Sequence, residues 1–283
     1  MRYVFFGTPN FAARVLRKLI EGGQPPLAVV CNPDRPTGRK QIITPPPVKT
    51  VIAEKLLAHE TPVLQPEEPE AIAENLAALA PQFGLVAAYA HILPAFMLHL
   101  PARGFIGVHP SLLPRYRGAS PVQSAILAGE KETGVTLYLM DERMDHGPVL
   151  ATRAIETDKL NSEELLLKLA DLGAELLLET VPQYLDNKLI PFPQDELRAT
   201  YTKKFTAADA FIPFEELTRA SKSKTGTAAE LWSKIRAFTP EPGAWTEYKG
   251  KRVKLIKADF KGGTLELQTI QVEGERPKPF TSF

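Results

Sequence analysis

Hydrophobic positions in the first half of the chain follow two alternating rhythms. Short, mainly apolar runs at residues 3–6, 27–31, 85–88, 105–108 and 135–140 read as buried strands. Between them, residues 11–21, 51–59 and 71–79 show helical spacing; in the first of these Phe11, Val15, Leu16 and Leu19 share one side, and Gly22 and Gly23 end it. Alternation of this kind predicts an α/β fold, a Rossmann-like and mostly parallel sheet with helices on both faces. Residues 162–184 then predict a long amphipathic helix, with Ser162 as its N-cap and Glu163 and Glu164 in its first turn.

The texture changes after residue 186. Residues 187–204 are Pro-rich and polar and read as a linker between an N-terminal domain (1–186) and a C-terminal domain (205–283). The second domain starts with a helix at 228–238. Three short β-like runs follow at 244–248, 253–257 and 265–271, separated by Lys249-Gly250-Lys251 and Lys261-Gly262-Gly263 turns. That pattern predicts a small C-terminal β-barrel of the oligonucleotide-binding (OB-like) type. There is no internal repeat, and the Pro-rich stretch before Phe283 reads as an unfinished end.

Composition narrows the class. No apolar run reaches the roughly 18 residues of a bilayer span, and the first residues lack the features of a signal peptide. Cys31 is the only cysteine, which excludes an intramolecular disulfide and suits a reducing, cytoplasmic setting; at the end of an apolar run it reads as a small buried hydrophobe. The net charge of +1 hides an asymmetry. Residues 217–263 hold 11 Lys/Arg against 4 Asp/Glu, a local +7 that leaves −6 for the rest. A basic module on a mildly acidic body fits a polyanionic partner, and equally a solvated lysine-rich surface.

The densest chemistry lies in GFIGVHPSLLPRYRG (104–118) and in DERMDHGP (141–148). One apolar run delivers His109 to a loop stiffened by Pro110 and Pro114; a second delivers Asp141 and Asp145. Strand ends that carry His and Asp into loops are where α/β folds place catalysis. Acyl or formyl transfer needs a donor aimed at a developing oxyanion and a route for the amine proton. His109 can donate when protonated, and Asp145 can orient the ring and hold its charge. The alternative is a structural His109 bonded to a backbone carbonyl. Gly7-Thr8-Pro9 lacks the spacing of a phosphate loop. No His/Cys cluster has metal-ligand spacing, so no metal is assigned. His59 and His99 read as surface or structural residues. The long loop 32–41 carries three cations that could contact a phosphodiester backbone.

FFGTPNFA, NPDRPTGR, TPPPVK, PVLQPE, HPSLLPRYRGASP, ETGVT, MDERMDHGP and IRAFTPEPGAW occur in the order found in methionyl-tRNA formyltransferases, which this sequence resembles over nearly its whole length. The resemblance implies a 10-formyltetrahydrofolate donor and formyl transfer to the α-amino group of methionine on initiator tRNA. It implies catalytic roles for His109 and Asp145, folate contacts from Ser111, Leu112, Leu113, Pro114 and Asp141, and a pterin pocket lined by Tyr89, Ala90, Ile92 and Leu93. It further implies tRNA contacts from Arg39 and Lys40, and from Lys249, Lys251 and Arg252 in the basic module. A monomer with no membrane partner is expected.

One position departs from the family pattern. The family has Asn two residues before the catalytic histidine; here that residue is Gly107. Losing one oxyanion donor typically costs on the order of 10²- to 10³-fold in rate. The neighbouring His146 is also unusual, and the sequence suggests that it, or a water, supplies the missing donor in the space Gly107 opens. The competing readings are a formyltransferase with a small amine acceptor such as an amino sugar, a catalytically impaired folate- or tRNA-binding protein, and a hydrolase releasing formate.

Overall fold

The computed structural model describes residues 1–38, 40–55, 60–157, 159–222 and 226–282. The elements of the first 185 residues are β1 (Tyr3–Gly7), α1 (Asn10–Glu21), β2 (Ala28–Val30), β3 (Arg35–Thr37), β4 (Ile42–Thr44), α2 (Pro47–Glu54), β5 (Val63–Leu64), α3 (Ala73–Leu79), β6 (Phe83–Ala87), α4 (Ala95–Leu98), β7 (Phe105–His109), β8 (Arg117–Gly118), α5 (Pro121–Leu127), β9 (Glu132–Leu139), β10 (Val149–Glu156) and α6 (Ser162–Leu185). After them come β11 (Tyr201–Thr202), α7 (Phe214–Lys222), α8 (Gly226–Ala237), β12 (Trp245–Tyr248), β13 (Lys251–Lys261), β14 (Thr264–Val272) and β15 (Lys278–Pro279).

Seven strands form one sheet in the order β10-β9-β7-β6-β1-β2-β5. The pairs among β5, β2, β1, β6 and β7 are parallel, and β9 runs antiparallel to β7. Strands β1, β2 and β7 are buried along their full length, as unbroken apolar runs covered on both faces must be. Phe5, Phe6 and Phe105 are wholly buried, and each such side chain stabilises the fold by roughly 1.5–3 kcal/mol. Helix α1 buries Phe11, Val15, Leu16 and Leu19 as its spacing predicts. It lies so close to β1 that a Cβ at Gly7 would come 2.5 Å from Ala12 Cβ and 2.6 Å from Ala87 O. From β1 the chain builds outward to β2 and β5, then returns to build β6 and β7 on the other side. The strand order therefore reverses between β1 and β6, and α/β sheets bind ligands outside the carboxyl ends near such a point.

The chain divides into two compact units. The first comprises residues 1–117, 134–154 and 167–200; the second comprises 118–133, 155–166 and 201 onward. The second unit holds a four-stranded antiparallel sheet, β12-β13-β14-β15, where the sequence predicts OB-like strands. Helix α8 packs on β13 and β14, and α5 packs against α8.

Two local expectations change. The cap of α6 is Asn161, not Ser162: Asn161 Oδ1 accepts from Glu164 N (3.0 Å) while Glu164 Oε2 accepts from Asn161 N (2.9 Å), a reciprocal box that satisfies two donors. Ser162 Oγ instead donates to Thr239 O at 2.8 Å. The cationic loop after β2 contains a short antiparallel hairpin, β3 with β4, whose Ile42 and Ile43 are more than 60% exposed. Arg39 and His59 lie outside the described residues. Among those described, no helix is long and apolar enough to cross a membrane.

Candidate active site

Strand β7 ends on His109, which is only 6% exposed. Its Nε2 lies 2.9 Å from the carbonyl of Tyr116 and its Nδ1 lies 3.5 Å from Asp145 Oδ2. Both neighbours are acceptors. A neutral ring can donate to one of them, and a protonated ring donates to both. The carbonyl contact raised as the structural alternative is thus present, but it occupies only one nitrogen and leaves Nδ1 facing the carboxylate.

Asp145 sits in the loop between β9 and β10 with φ 50°, the left-handed region. For an L-residue that conformation costs roughly 1–2 kcal/mol, least for Asn and Asp. Two contacts hold it there. Tyr138 Oη donates to Asp145 Oδ1 at 2.8 Å. Gln194 Nε2 donates to the carbonyls of Asp145 (2.9 Å) and Gly147 (2.8 Å). Burial pushes the Tyr138 phenol well above its ordinary range, and the charge of Asp145 pushes it the same way. It therefore stays a proton donor.

Gly107 does not open an empty space. The antiparallel register places Tyr138 directly across from it, and a Cβ built on Gly107 would meet Tyr138 Cε1 at 2.4 Å and its hydroxyl at 2.9 Å. His146 is engaged elsewhere, which corrects the expectation that it faces Gly107. Arg143 Nη1 donates to His146 Nε2 (2.7 Å), so His146 Nδ1 is the nitrogen that donates to Asp141 Oδ2 (2.5 Å). Arg143 also pairs with Glu196 at 3.3 Å. Glu196 in turn pairs at 2.6 Å with Arg117, whose side chain is fully buried, and that guanidinium holds the Glu196 carboxyl below its ordinary range. Arg117 also donates to Gln194 Oε1. The stretch 187–204, read as a linker, thus carries two residues that clamp the Asp145 loop.

The remaining predicted residues fall into three groups. Ser111 is buried, donates to Arg115 O at 2.7 Å and accepts at its carbonyl from Thr136 Oγ1 on β9. Leu113 N bonds the same hydroxyl, the Leu113–Pro114 peptide is cis, and Leu112 packs on Gly134. Leu93 is buried with Leu98 and Phe105, and Tyr89 packs against that cluster with Met140. Burial pushes the Tyr89 phenol up to about 12. Ala90 and Ile92 are exposed, Ile92 by 85%. Lys40, Lys249, Lys251 and Arg252 are also exposed, with Lys249 over the Tyr248 ring and Arg252 over the Trp245 ring. Beside the site, Leu98, Phe105, Leu139 and Met140 wall a cavity of about 420 Å³ that Arg103, Asp141 and Arg143 rim and His99 also lines.

Residues 1–181 match the family model described as formyl transferase, and residues 225–268 match formyl transferase, C-terminal domain. The methionyl-tRNA formyltransferase of Myxococcus xanthus is 43% identical over 96% of this chain and 84% of its own length. That of Chloroflexus aurantiacus is 41% identical over 91% of this chain and 80% of its own, and that of Geobacter sulfurreducens 36% identical over all of this chain and 93% of its own. The chain belongs to the methionyl-tRNA formyltransferase family.

Solved structures agree at the level of the fold. The methionyl-tRNA formyltransferase from Clostridium thermocellum superposes with a TM-score of 0.63 at 16% identity, over 96% of this chain and 98% of that one. HypX from Aquifex aeolicus in complex with tetrahydrofolic acid gives 0.66 at 18% identity; this chain spans 99% of itself but 46% of HypX. In this formyltransferase the site residues that sequence reasoning missed are Tyr138, Gln194, Arg117, Arg143 and Glu196. Tyr138 left a signal: a glycine inside a buried strand marks a close approach by a neighbour. Gln194 left none, because it lies in a polar stretch with no periodicity.

Proposed function

We propose that this chain transfers the formyl group of 10-formyltetrahydrofolate to the α-amino group of methionine carried on initiator tRNA, with His109 and Asp145 performing the transfer. The reading rests above all on the His109–Asp145 contact at a buried strand end. With Nε2–H donated to the Tyr116 carbonyl, the ring is fixed in one orientation and Nδ1 is left to work. At 3.5 Å from Asp145 a protonated Nδ1 has its charge balanced, and because that separation is longer than an ordinary hydrogen bond its single N–H can be shared with the formyl oxygen as negative charge develops there. Asp145 can receive the proton lost by the attacking amine.

The cavity beside the loop fits the donor's bicyclic head group in size and character. Pockets for such ligands are mostly apolar with a few convergent polar groups, and here Leu98, Phe105 and Met140 supply the walls and Asp141 and Arg143 the rim. Ser111, Leu112, Leu113 and Pro114 extend the donor site. For the acceptor, Arg39 and Lys40, and separately Lys249, Lys251 and Arg252, supply cations that suit tRNA phosphates. The test is single-turnover formyl transfer to methionyl initiator tRNA. We expect transfer by the wild-type chain and its loss in His109→Ala. Formate release without tRNA, or transfer to a free amino sugar alone, would overturn the reading.

A further inference from the structure

We infer that Tyr138 is a positioning residue for the formyl-transfer reaction: it reaches across from β9 to fill the space above Gly107 and uses its hydroxyl to hold Asp145 in place. The inference deepens the function proposed above and rests on it.

Three independent observations converge. First, positions 107 and 138 are cross-strand partners, so their side chains stand on the same face of the sheet. Second, the two compete for one volume. A Cβ on residue 107 would lie 2.4 Å from Tyr138 Cε1, 2.6 Å from Cζ and 2.9 Å from Oη, closer than real Cβ contacts come. Tyr138 is nearly completely buried and part of a packed strand pair, so the ring cannot simply swing away. A side chain at 107 and a tyrosine at 138 are mutually exclusive, and this chain has taken the tyrosine.

Third, the hydroxyl that occupies the shared volume has one proton, and Asp145 Oδ1 receives it. The other oxygen, Oδ2, is thereby turned to His109 Nδ1. The phenol does not reach the formyl oxygen with that proton; it acts through the carboxylate. Its high pKa, caused first by burial, keeps the proton on Tyr138 while Asp145 gains or loses its own. Tyr138 is therefore a fixed donor that holds one carboxylate oxygen of Asp145 while the other faces His109. The cost of the left-handed backbone at Asp145 is met by this bond together with the two from Gln194.

Tyr138→Phe separates positioning from packing, since the ring stays and only the hydroxyl goes. A hydrogen bond to a charged group corresponds to roughly a 10- to 100-fold effect. We expect single-turnover transfer to slow by that factor, with the KM for the folate donor within twofold of wild type and thermal unfolding within a few degrees. The second arm tests the shared volume. Gly107→Asn alone is expected to unfold at lower temperature than wild type. Gly107→Asn combined with Tyr138→Leu is expected to recover both stability and rate relative to Gly107→Asn, because the clash is gone and an amide donor stands in the vacated space. Tyr138→Phe transferring within twofold of wild type would overturn the positioning role and leave the functional reading intact. Gly107→Asn folding as well as wild type would overturn the shared volume. A wild-type chain with no transfer at all would sink the functional reading, and the positioning role with it.

Discussion

Replacing Gln194 by alanine tests whether the Asp145 loop is held from outside its own sequence. In the native structure the Gln194 amide donates to two carbonyls of the loop, at Asp145 and Gly147, and its oxygen accepts from the buried Arg117 guanidinium at 2.7 and 3.1 Å. A neutral hydrogen bond contributes about 1 kcal/mol net and one to a charged group about 1.5–3 kcal/mol. Gln194 is half-buried, so water recovers part of what is lost. The expected destabilisation is about 2–4 kcal/mol by urea unfolding. The rate effect is larger than the stability effect implies. Released from Gln194, Asp145 can leave its left-handed conformation, and a misplacement of about 1 Å at a reacting group costs on the order of 10²-fold. Gln194→Glu separates the two consequences: it keeps an acceptor for Arg117 and removes the donor to the loop. Its charge pair with Arg117 returns part of the stability lost in the alanine variant, while a carboxylate oxygen facing the two loop carbonyls repels them, so it should transfer formyl at least as slowly as the alanine variant in a single-turnover assay. Gln194→Ala unfolding within about 0.5 kcal/mol of wild type and transferring within twofold would refute the clamp.

Three further outcomes are expected. His146→Ala removes the side-chain bridge between Asp141 and Arg143 at the cavity rim, so the KM for the folate donor should rise about 3- to 10-fold while single-turnover transfer stays within about threefold; a collapse of the rate would restore His146 to the oxyanion. Glu196 has its folded-state carboxyl held below the ordinary value of 4.5 by Arg117, so the stability it contributes is present above that value and disappears as pH falls through the depressed one. The urea midpoint of Glu196→Gln should accordingly trail wild type at pH 7, with the gap narrowing as pH falls below 4.5, and a gap that stays constant across that range would contradict the linkage. Removing Lys249, Lys251 and Arg252 one at a time should each lower the slope of log K for tRNA against log salt by about one, and unchanged slopes would exclude those cations from phosphate contact.

Much of the first unit was legible because β1, β2 and β7 are buried on both faces and read as unbroken apolar runs. His109 was legible as a residue delivered by such a run. Its meeting with Asp145 was not: it depends on the register that pairs Ile106 with Leu139 and on a turn back through residues 141–147, neither of which sequence spacing encodes. Gly107 is a visible departure from the family pattern, but what occupies the space above it depends on the same register, so the sequence suggests His146 or a water where Tyr138 stands. Gln194 and Glu196 were hidden in a Pro-rich stretch, where polar residues have no period to betray the face they present. The cap of α6 slipped by one residue because Asn161 and Ser162 are both good caps, and only the reciprocal bond with Glu164 decides between them.

The division of the chain has a practical consequence for anyone wishing to study the second unit in isolation. The polypeptide passes between the two units five times, and the second draws on three separated stretches. A fragment starting at residue 205 would carry α8 but not α5, whose Val122, Ala125 and Ile126 are buried. It would also lack residues 155–166, where Ser162 bonds Thr239 and where the Leu160 carbonyl accepts from Arg236. Such a fragment would present raw apolar surface and stripped carbonyl partners, so poor solubility on its own would reflect where it was cut rather than an inability of the native unit to fold. A circular permutant or an insertion that keeps all three stretches on one side is the better dissection.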